Sequence, residues 1–366
     1  MQKIAVVGVG RLGLCFALNL ERAGYEVLGI DIHEEYVVQL NQKTFISPEP
    51  LVSDMLAQAK HFSATTRLQE GLSDDIGLMF IMVATPSLPD GSYDHSQIER
   101  VAGALINFGR RKQTTHIAIG CTVMPGYTAT LQNKLLQYGY TVSYNPEFIA
   151  QGNIIRGQQY PDQILIGEAN AEAGDLLEEV NLRICLNRPA VLRMDPLSAE
   201  IAKLATNCFL TTKISFANSI GDLAVKAGAN PEKILAAIGA DSRIGNKYLQ
   251  YGDGFGGPCF PRDNRALSIF ARHHQVELPL SDATDKVNRL HLAFQLEQLL
   301  AQNRETYFFD YITYKPDAPI IEESQRLALA LALAKAGKKV VIREQPEIVA
   351  LLQREYPGLF ILEERK

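Results

Sequence analysis

The sequence predicts an α/β protein in three parts. A doubly wound, mostly parallel sheet is expected over residues 1–192, a central helical block over 193–298, and a small, reduced α/β domain over 299–366. Three observations carry this. β-Branched runs alternate with helical patterns through the first half of the chain, one unbroken helical pattern runs from Asp195-Pro196 to about Gly228, and a short strand–helix alternation resumes after residue 300. A chain of 366 residues is long enough for two or three cores.

The first elements are the most specific. Lys3 to Val7 is a strand that ends in Gly8-Val9-Gly10-Arg11-Leu12-Gly13. Leu14, Ala17 and Leu18 then keep helical spacing up to Gly24, and Glu26 to Ile30 is a second strand ending at Asp31. Strand, glycine turn, helix, strand and acid in this order form a dinucleotide cradle. Gly8 permits the tight turn, Gly10 with Arg11 and Leu12 opens the helix N-terminus to a pyrophosphate, and Gly13 lets helix and strand pack closely. Asp31 is placed to accept from both ribose hydroxyls and would repel a 2′-phosphate, so NAD is expected rather than NADP.

The alternation continues through strands at Gly77 to Ala84, Thr115 to Gly120 and Tyr140 to Tyr144. They stop at Thr85-Pro86, at Thr122 and at Asn145-Pro146-Glu147. Ligands of parallel sheets sit beyond the carboxyl ends of strands. Each of these residues alone serves equally as a turn former or a cap; three in succession point to a site.

Composition narrows the partners. Net charge is −5 with no concentrated basic segment, so nucleic acid and anionic membranes are not expected. The five cysteines are scattered, without metal-ligand spacing or a disulfide framework, and no metal is expected. With neither a signal-peptide pattern nor a membrane-length apolar run, a cytoplasmic location is expected.

The long helix is mostly apolar, but Lys203, Asn207, Thr211, Ser215, Asn218 and Asp222 share one face. That stripe is either a solvated edge or, at Lys203 and Asn207, a pair of donors to a developing oxyanion. Farther on, Gly254-Phe255-Gly256-Gly257-Pro258-Cys259-Phe260-Pro261-Arg262-Asp263 places one thiol in a turn rich in glycine and proline, with a carboxylate four residues later. Either Cys259 is prepared for covalent chemistry on a carbonyl, or it is a structural cysteine in a loop.

Taken together, GVGRLG with Asp31, ATPSLPDGSYDHS (84–96), CTVMPG (121–126), NPEF (145–148), AEIAKLATNCFLTTKISFANSI (199–220), DSRIGNKY (241–248) and GFGGPCFPRD (254–263) resemble the UDP-glucose/GDP-mannose dehydrogenase family, in family order and over roughly residues 1–290. The resemblance implies oxidation of the C6 alcohol of a nucleotide sugar to a carboxylate, with two NAD used in succession. It implies that Cys259 traps the intermediate aldehyde, that Asp263, Lys203 and Thr122 serve proton transfer and water placement beside Glu147, and that Asn207 with Lys203 steadies the oxyanion. It also places Thr85, Pro86 and Thr122 near the cofactor. Glu147, Phe148, Gln151, Lys203, Asn207, Arg243, Tyr248, Gly256 and Lys315 would lie near the sugar nucleotide. Arg243 would reach a neighbouring subunit of a homodimer.

Three departures stand out. Gln151 replaces a family acid and cannot take a proton. Arg262 replaces a lysine and keeps only its charge. The C-terminal part is short, with strands at Thr306 to Tyr314, Lys339 to Ile342 and Leu359 to Leu362, a helix from Ile320 to Gly337, and a short helix from Glu347. There Pro319, Ile320 and Glu322 stand where the family has paired acids and an arginine. A diphosphate is better met by cations, so substrate identity is less constrained than reaction type. The alternatives are the same chemistry on another alcohol, or a non-catalytic NAD-binding homologue.

Overall fold

The computed structural model describes residues 2–149, 152–316 and 318–365. Two compact units emerge, Met1–Lys203 and Leu204–Lys366, and the division falls inside the long helix.

In the first unit the chain runs β1 (Lys3–Val7), α1 (Arg11–Arg22), β2 (Glu26–Ile30), α2 (Glu34–Gln42), α3 (Val52–Gln58), β3 (Phe62–Thr65), β4 (Ile76–Ile81), α4 (Ser96–Phe108), β5 (Thr115–Ile119), α5 (Tyr127–Leu135), β6 (Tyr140–Tyr144), α6 (Ile154–Gln159), β7 (Gln163–Gly167), α7 (Ala171–Ile184) and β8 (Ala190–Met194). The sheet order is β3-β2-β1-β4-β5-β6-β7-β8. Pairing is parallel except between β6 and β7, which meet antiparallel at Tyr144 and Gly167.

A parallel sheet covered on both faces needs strands that are apolar on both sides. β1 meets that demand: Ile4 and Val6 enter a core with Leu14 and Leu18 of α1 and Leu177 and Val180 of α7, whereas Ala5 and Val7 enter another with Ile98 and Leu105 of α4 and Leu131 of α5. Strand order reverses between β1 and β4, and the crevice at such a switch point is where these sheets take ligands.

Helix α8 (Pro196–Lys226) begins in the first unit, where Asp195 Oδ1 accepts from the Ser198 backbone at 2.9 Å. Glu200, on its first turns, is fully buried. Its carboxylate accepts from Gly126 N at 2.5 Å, Thr128 N at 2.8 Å and Thr128 Oγ1 at 2.5 Å, satisfying the start of α5. Burial raises its pKa, against the pull of those donors.

The second unit holds the rest of α8, then α9 (Pro231–Gly239), α10 (Phe260–His273), α11 (Pro279–Ala301), β9 (Thr306–Phe309), α12 (Gln325–Lys335), β10 (Lys339–Glu344), α13 (Pro346–Glu355) and β11 (Ile361–Glu364). Its three strands form a parallel sheet ordered β11-β10-β9. Several boundaries differ from the sequence expectation, and the last strand, expected over Leu359 to Leu362, runs Ile361–Glu364. β9 ends at Phe309 because the buried Glu344 carboxylate, not a neighbouring strand, takes Ile312 N at 2.9 Å. α12 starts at Gln325 rather than Ile320 because Ser324 is its N-cap, accepting from Leu327 N at 3.2 Å. Among the described residues no helix is long and apolar enough to cross a membrane.

Removing the Glu200 carboxylate strands buried donors. We expect Glu200→Ala to lower stability by about 3 kcal/mol in urea titration, and Glu200→Gln, which keeps an acceptor, to lose roughly half as much.

Candidate active site

The glycine turn is shaped by contacts within the first unit. Gly8 has φ +86°, and a Cβ there would fall 2.8 Å from Met82 O; a Cβ on Gly13 would fall 1.9 Å from Gly8 O. Gly10 has open space around its would-be Cβ, no side chain caps α1, and its first turn carries no acid. An uncapped helix N-terminus facing open space suits an anion. Asp31 ends β2 half-buried, its Oδ1 accepting from His33 N at 3.2 Å. These features fit a dinucleotide, with Gly8, Gly10, Arg11, Leu12 and Gly13 against the pyrophosphate and Asp31 at the ribose.

Thr85 and Thr122, at the ends of β4 and β5, are joined by a bond from Thr85 Oγ1 to Thr122 O of 2.7 Å, and Pro86 beside them is exposed. Beyond β6, Lys203 Nζ donates to the Glu147 carbonyl at 2.8 Å and lies 4.3 Å from the Phe148 ring centre. Lys203 is 6% exposed. Burial pushes the Glu147 carboxyl up to about 7, opposed by the Lys203 ammonium. Gln151 lies outside the described residues.

In the second unit the polar stripe of α8 faces inward, which decides against a solvated edge: Asn207, Thr211, Ser215 and Asn218 are all buried. Asn207 Nδ2 donates to Asp263 Oδ2 at 2.5 Å, and Thr211 Oγ1 donates to Asn264 Oδ1 at 3.0 Å, so successive turns of α8 hold successive residues of α10. Cys259 is exposed at the N-cap of α10, at the positive end of the helix dipole. The glycines before it meet the chain itself. A Cβ on Gly256 would fall 2.3 Å from Glu323 O, and Gly257, at φ +79°, donates to Glu322 O at 3.1 Å beneath the Tyr314 ring.

Other expected residues have contacts of their own. Arg243 is exposed and paired with Asp241 at 2.6 Å, Tyr248 is exposed at φ +62° with its ring 6.1 Å from that of Phe260, and Lys315 lies 5.7 Å from the Tyr314 ring centre. Asn288 is a residue that sequence reasoning missed. Its Oδ1 accepts from Phe255 N at 3.0 Å and its Nδ2 donates to Phe255 O at 2.8 Å, bracing the loop that leads to Cys259. One asparagine in an amphipathic helix carries no local signal of that task.

Sequence models of the UDP-glucose/GDP-mannose dehydrogenase family match this chain twice, the NAD binding domain over residues 2–184 and the central domain over 197–290. The chain belongs to this family. It is an NAD-dependent dehydrogenase acting on CH–OH. It is 30% identical over 355 residues to a UDP-glucose 6-dehydrogenase of Pseudomonas aeruginosa, covering 92% of this chain and 78% of that one. It is also 30% identical over 359 residues to the UDP-glucose 6-dehydrogenase AglM of Haloferax volcanii, covering 93% and 82%. A solved UDP-glucose dehydrogenase from Pyrobaculum islandicum superposes with TM-score 0.89 at 27% identity, covering 100% of this chain and 86% of that one. A UDP-D-ManNAc dehydrogenase from Pyrococcus horikoshii shares the fold, with TM-score 0.80 at 21% identity and coverage of 99% and 98%.

The raised Glu147 carboxyl has a stability consequence. An acid whose pKa is higher folded than unfolded binds its proton more tightly in the native state, so its stability contribution is present at low pH and lost as pH rises from about 4.5 to about 7. Denaturant melts across that window should show wild type losing stability relative to Glu147→Gln, with the difference flat above pH 8. A constant difference from pH 4 to 8 would contradict the shift.

Proposed function

We propose that the protein oxidises the C6 alcohol of UDP-glucose, or of a related nucleotide sugar, to the carboxylate through a covalent intermediate on Cys259. The observation that carries this is an exposed thiol at the start of α10, with Asp263 one turn on and held by Asn207. UDP-glucose is supported by the two relatives of that activity matching more than nine tenths of the chain.

NAD, when bound over the Gly8–Gly13 turn, supplies the hydride acceptor for both oxidations. The chain does the rest. The Cys259 sulfur adds to the aldehyde carbon, a C–S bond forms, and the carbonyl oxygen gains charge and then a proton, giving a thiohemiacetal. Lys203 and Asn207, one turn apart on α8, donate to that oxygen. In each oxidation the C6 carbon gives up a hydride and its hydroxyl gives up a proton, which passes through water to Asp263; the first leaves the aldehyde, and the second turns the thiohemiacetal into a thioester. A water placed by Thr122 and Asp263 then adds to the carbonyl, the C–S bond breaks, and the sulfur leaves, taking one of the water's two protons to restore the Cys259 thiol, while the carboxylate departs. Glu147, with its carboxyl near neutrality, takes a proton from that water.

Phe148, Gln151, Arg243, Tyr248, Gly256 and Lys315 would contact the sugar nucleotide, and Thr85 and Pro86 the cofactor. We take 1–192, 193–298 and 299–366 as the functional domains of a cytoplasmic enzyme of polysaccharide biosynthesis. Phe209, Phe216 and Leu223 stand outward on α8 at 65%, 47% and 64% exposure, at heptad spacing, and support a homodimer. A second reading, the same chemistry on another alcohol, is favoured by Pro319, Ile320 and Glu322 standing where the family has paired acids and an arginine, since a diphosphate is better met by cations.

With UDP-glucose, two NADH should form per sugar, and Cys259→Ala should lower kcat by at least about 1,000-fold while NAD still binds. NAD binding without UDP-glucose turnover, alongside turnover of another alcohol, would favour the second reading. Sedimentation should show a dimer that Phe216→Glu converts to monomer; an unchanged dimer would place the interface elsewhere.

A further inference from the structure

His291 on α11 is 2% exposed, yet both its ring nitrogens meet polar atoms. Nδ1 lies 2.9 Å from each oxygen of the Asp222 carboxylate on α8, and Nε2 lies 2.6 Å from the Gly252 carbonyl oxygen. Carboxylate and carbonyl are acceptors only. A neutral imidazole carries one N–H and would turn a lone pair against one of them. The ring satisfies both contacts only with a proton on each nitrogen.

The surroundings complete this arrangement. Tyr251 OH donates to Asp222 Oδ1 at 2.9 Å, and Gln295 Nε2 donates to Gly252 O at 3.1 Å. Asp222 and Tyr251 are the ionisable groups shown against the ring. Nearby charges are occupied elsewhere: Asp253 by Arg326 of α12 at 2.8 Å and by Tyr311 at 3.3 Å, and Lys226 by Glu297 at 2.7 Å. The imidazolium is thus balanced by one partly exposed carboxylate, that of Asp222.

Gly252 opens the segment that runs to Cys259. Asn218 of α8 accepts from Gly252 N at 3.1 Å, and Asn288, one turn before His291, takes both backbone groups of Phe255. Asn288, His291 and Gln295 share one face of α11 and grip this segment in sequence. A Cβ on Gly221 would fall 1.9 Å from the Tyr251 ring, so α8 is notched to receive it.

We propose that His291 is a positioning residue which, as an imidazolium bridging Asp222 and the Gly252 carbonyl, fixes the entry of the Cys259 loop. Only its kinetic consequence rests on Cys259 being the nucleophile; activity surviving in Cys259→Ala would show that reading, separately, to be wrong.

The test uses the full-length protein with 15N-labelled histidine at pH 7.5. Multiple-bond 1H–15N NMR should show both His291 nitrogens protonated. One bare nitrogen overturns the proposal whatever Cys259 does, and needs no variant to fold. In Asp222→Asn the ring should become neutral, and amide exchange at Phe255 and Gly257 should quicken at least about tenfold. With UDP-glucose as probe, His291→Leu should lower kcat about 10- to 100-fold, leaving KM for NAD unchanged and with His291→Gln recovering part of the loss through its amide donor. Wild-type kcat and loop exchange in His291→Leu would overturn the positioning role.

Discussion

Polar side chains along one face of α8 are buried, and each buried polar group must find a partner or bear its desolvation cost. That requirement orders the second unit. Asn207 finds Asp263, Thr211 finds Asn264, Asn218 finds the backbone of Gly252 and Asp253, and Asp222 finds Tyr251 and His291. The Ser215 hydroxyl, between them, has no hydrogen-bond partner among the described residues. Each bond contributes only about 1 kcal/mol net, but a broken partner leaves a buried orphan costing about 1–3 kcal/mol. Such a row specifies register more than it adds stability: sliding α10 along α8 by one turn would leave both Asn207–Asp263 and Thr211–Asn264 unmatched.

The same helix therefore has to leave apolar side chains outward. Phe209, Phe216 and Leu223 cannot turn inward while the polar row occupies the inner face. The proposed reaction chemistry and the proposed self-association both draw on one inverted amphipathic pattern. The first unit follows different rules: its sheet is held by apolar packing on both faces.

Much of this is legible in the sequence because the signals are local. The Gly8–Gly13 turn, Asp31 and the Asp195-Pro196 start declare themselves by spacing, since each sets a backbone conformation within a few residues. The polar stripe is visible as well, but its orientation is not, because four-residue spacing is the same for a buried and a solvated face. The start of α12 is not legible because Ser324 acts through a cap, nor is the end of β9, because Glu344 competes for the backbone beyond it from another strand. Asn288 and His291 escaped notice for the same reason. Their partners lie more than thirty residues away in sequence, and nothing near them in the chain marks the bond.

In the proposed reaction one thiol carries the substrate between two oxidations. Its most direct test is acid quench of Glu147→Gln during turnover with UDP-glucose and NAD, followed by peptide mass mapping. Slowed hydrolysis should leave the oxidised sugar nucleotide attached as a thioester to the peptide containing Cys259, decaying as the carboxylate appears. NADH formation at full stoichiometry with no adduct on Cys259 at any quench time would contradict the account.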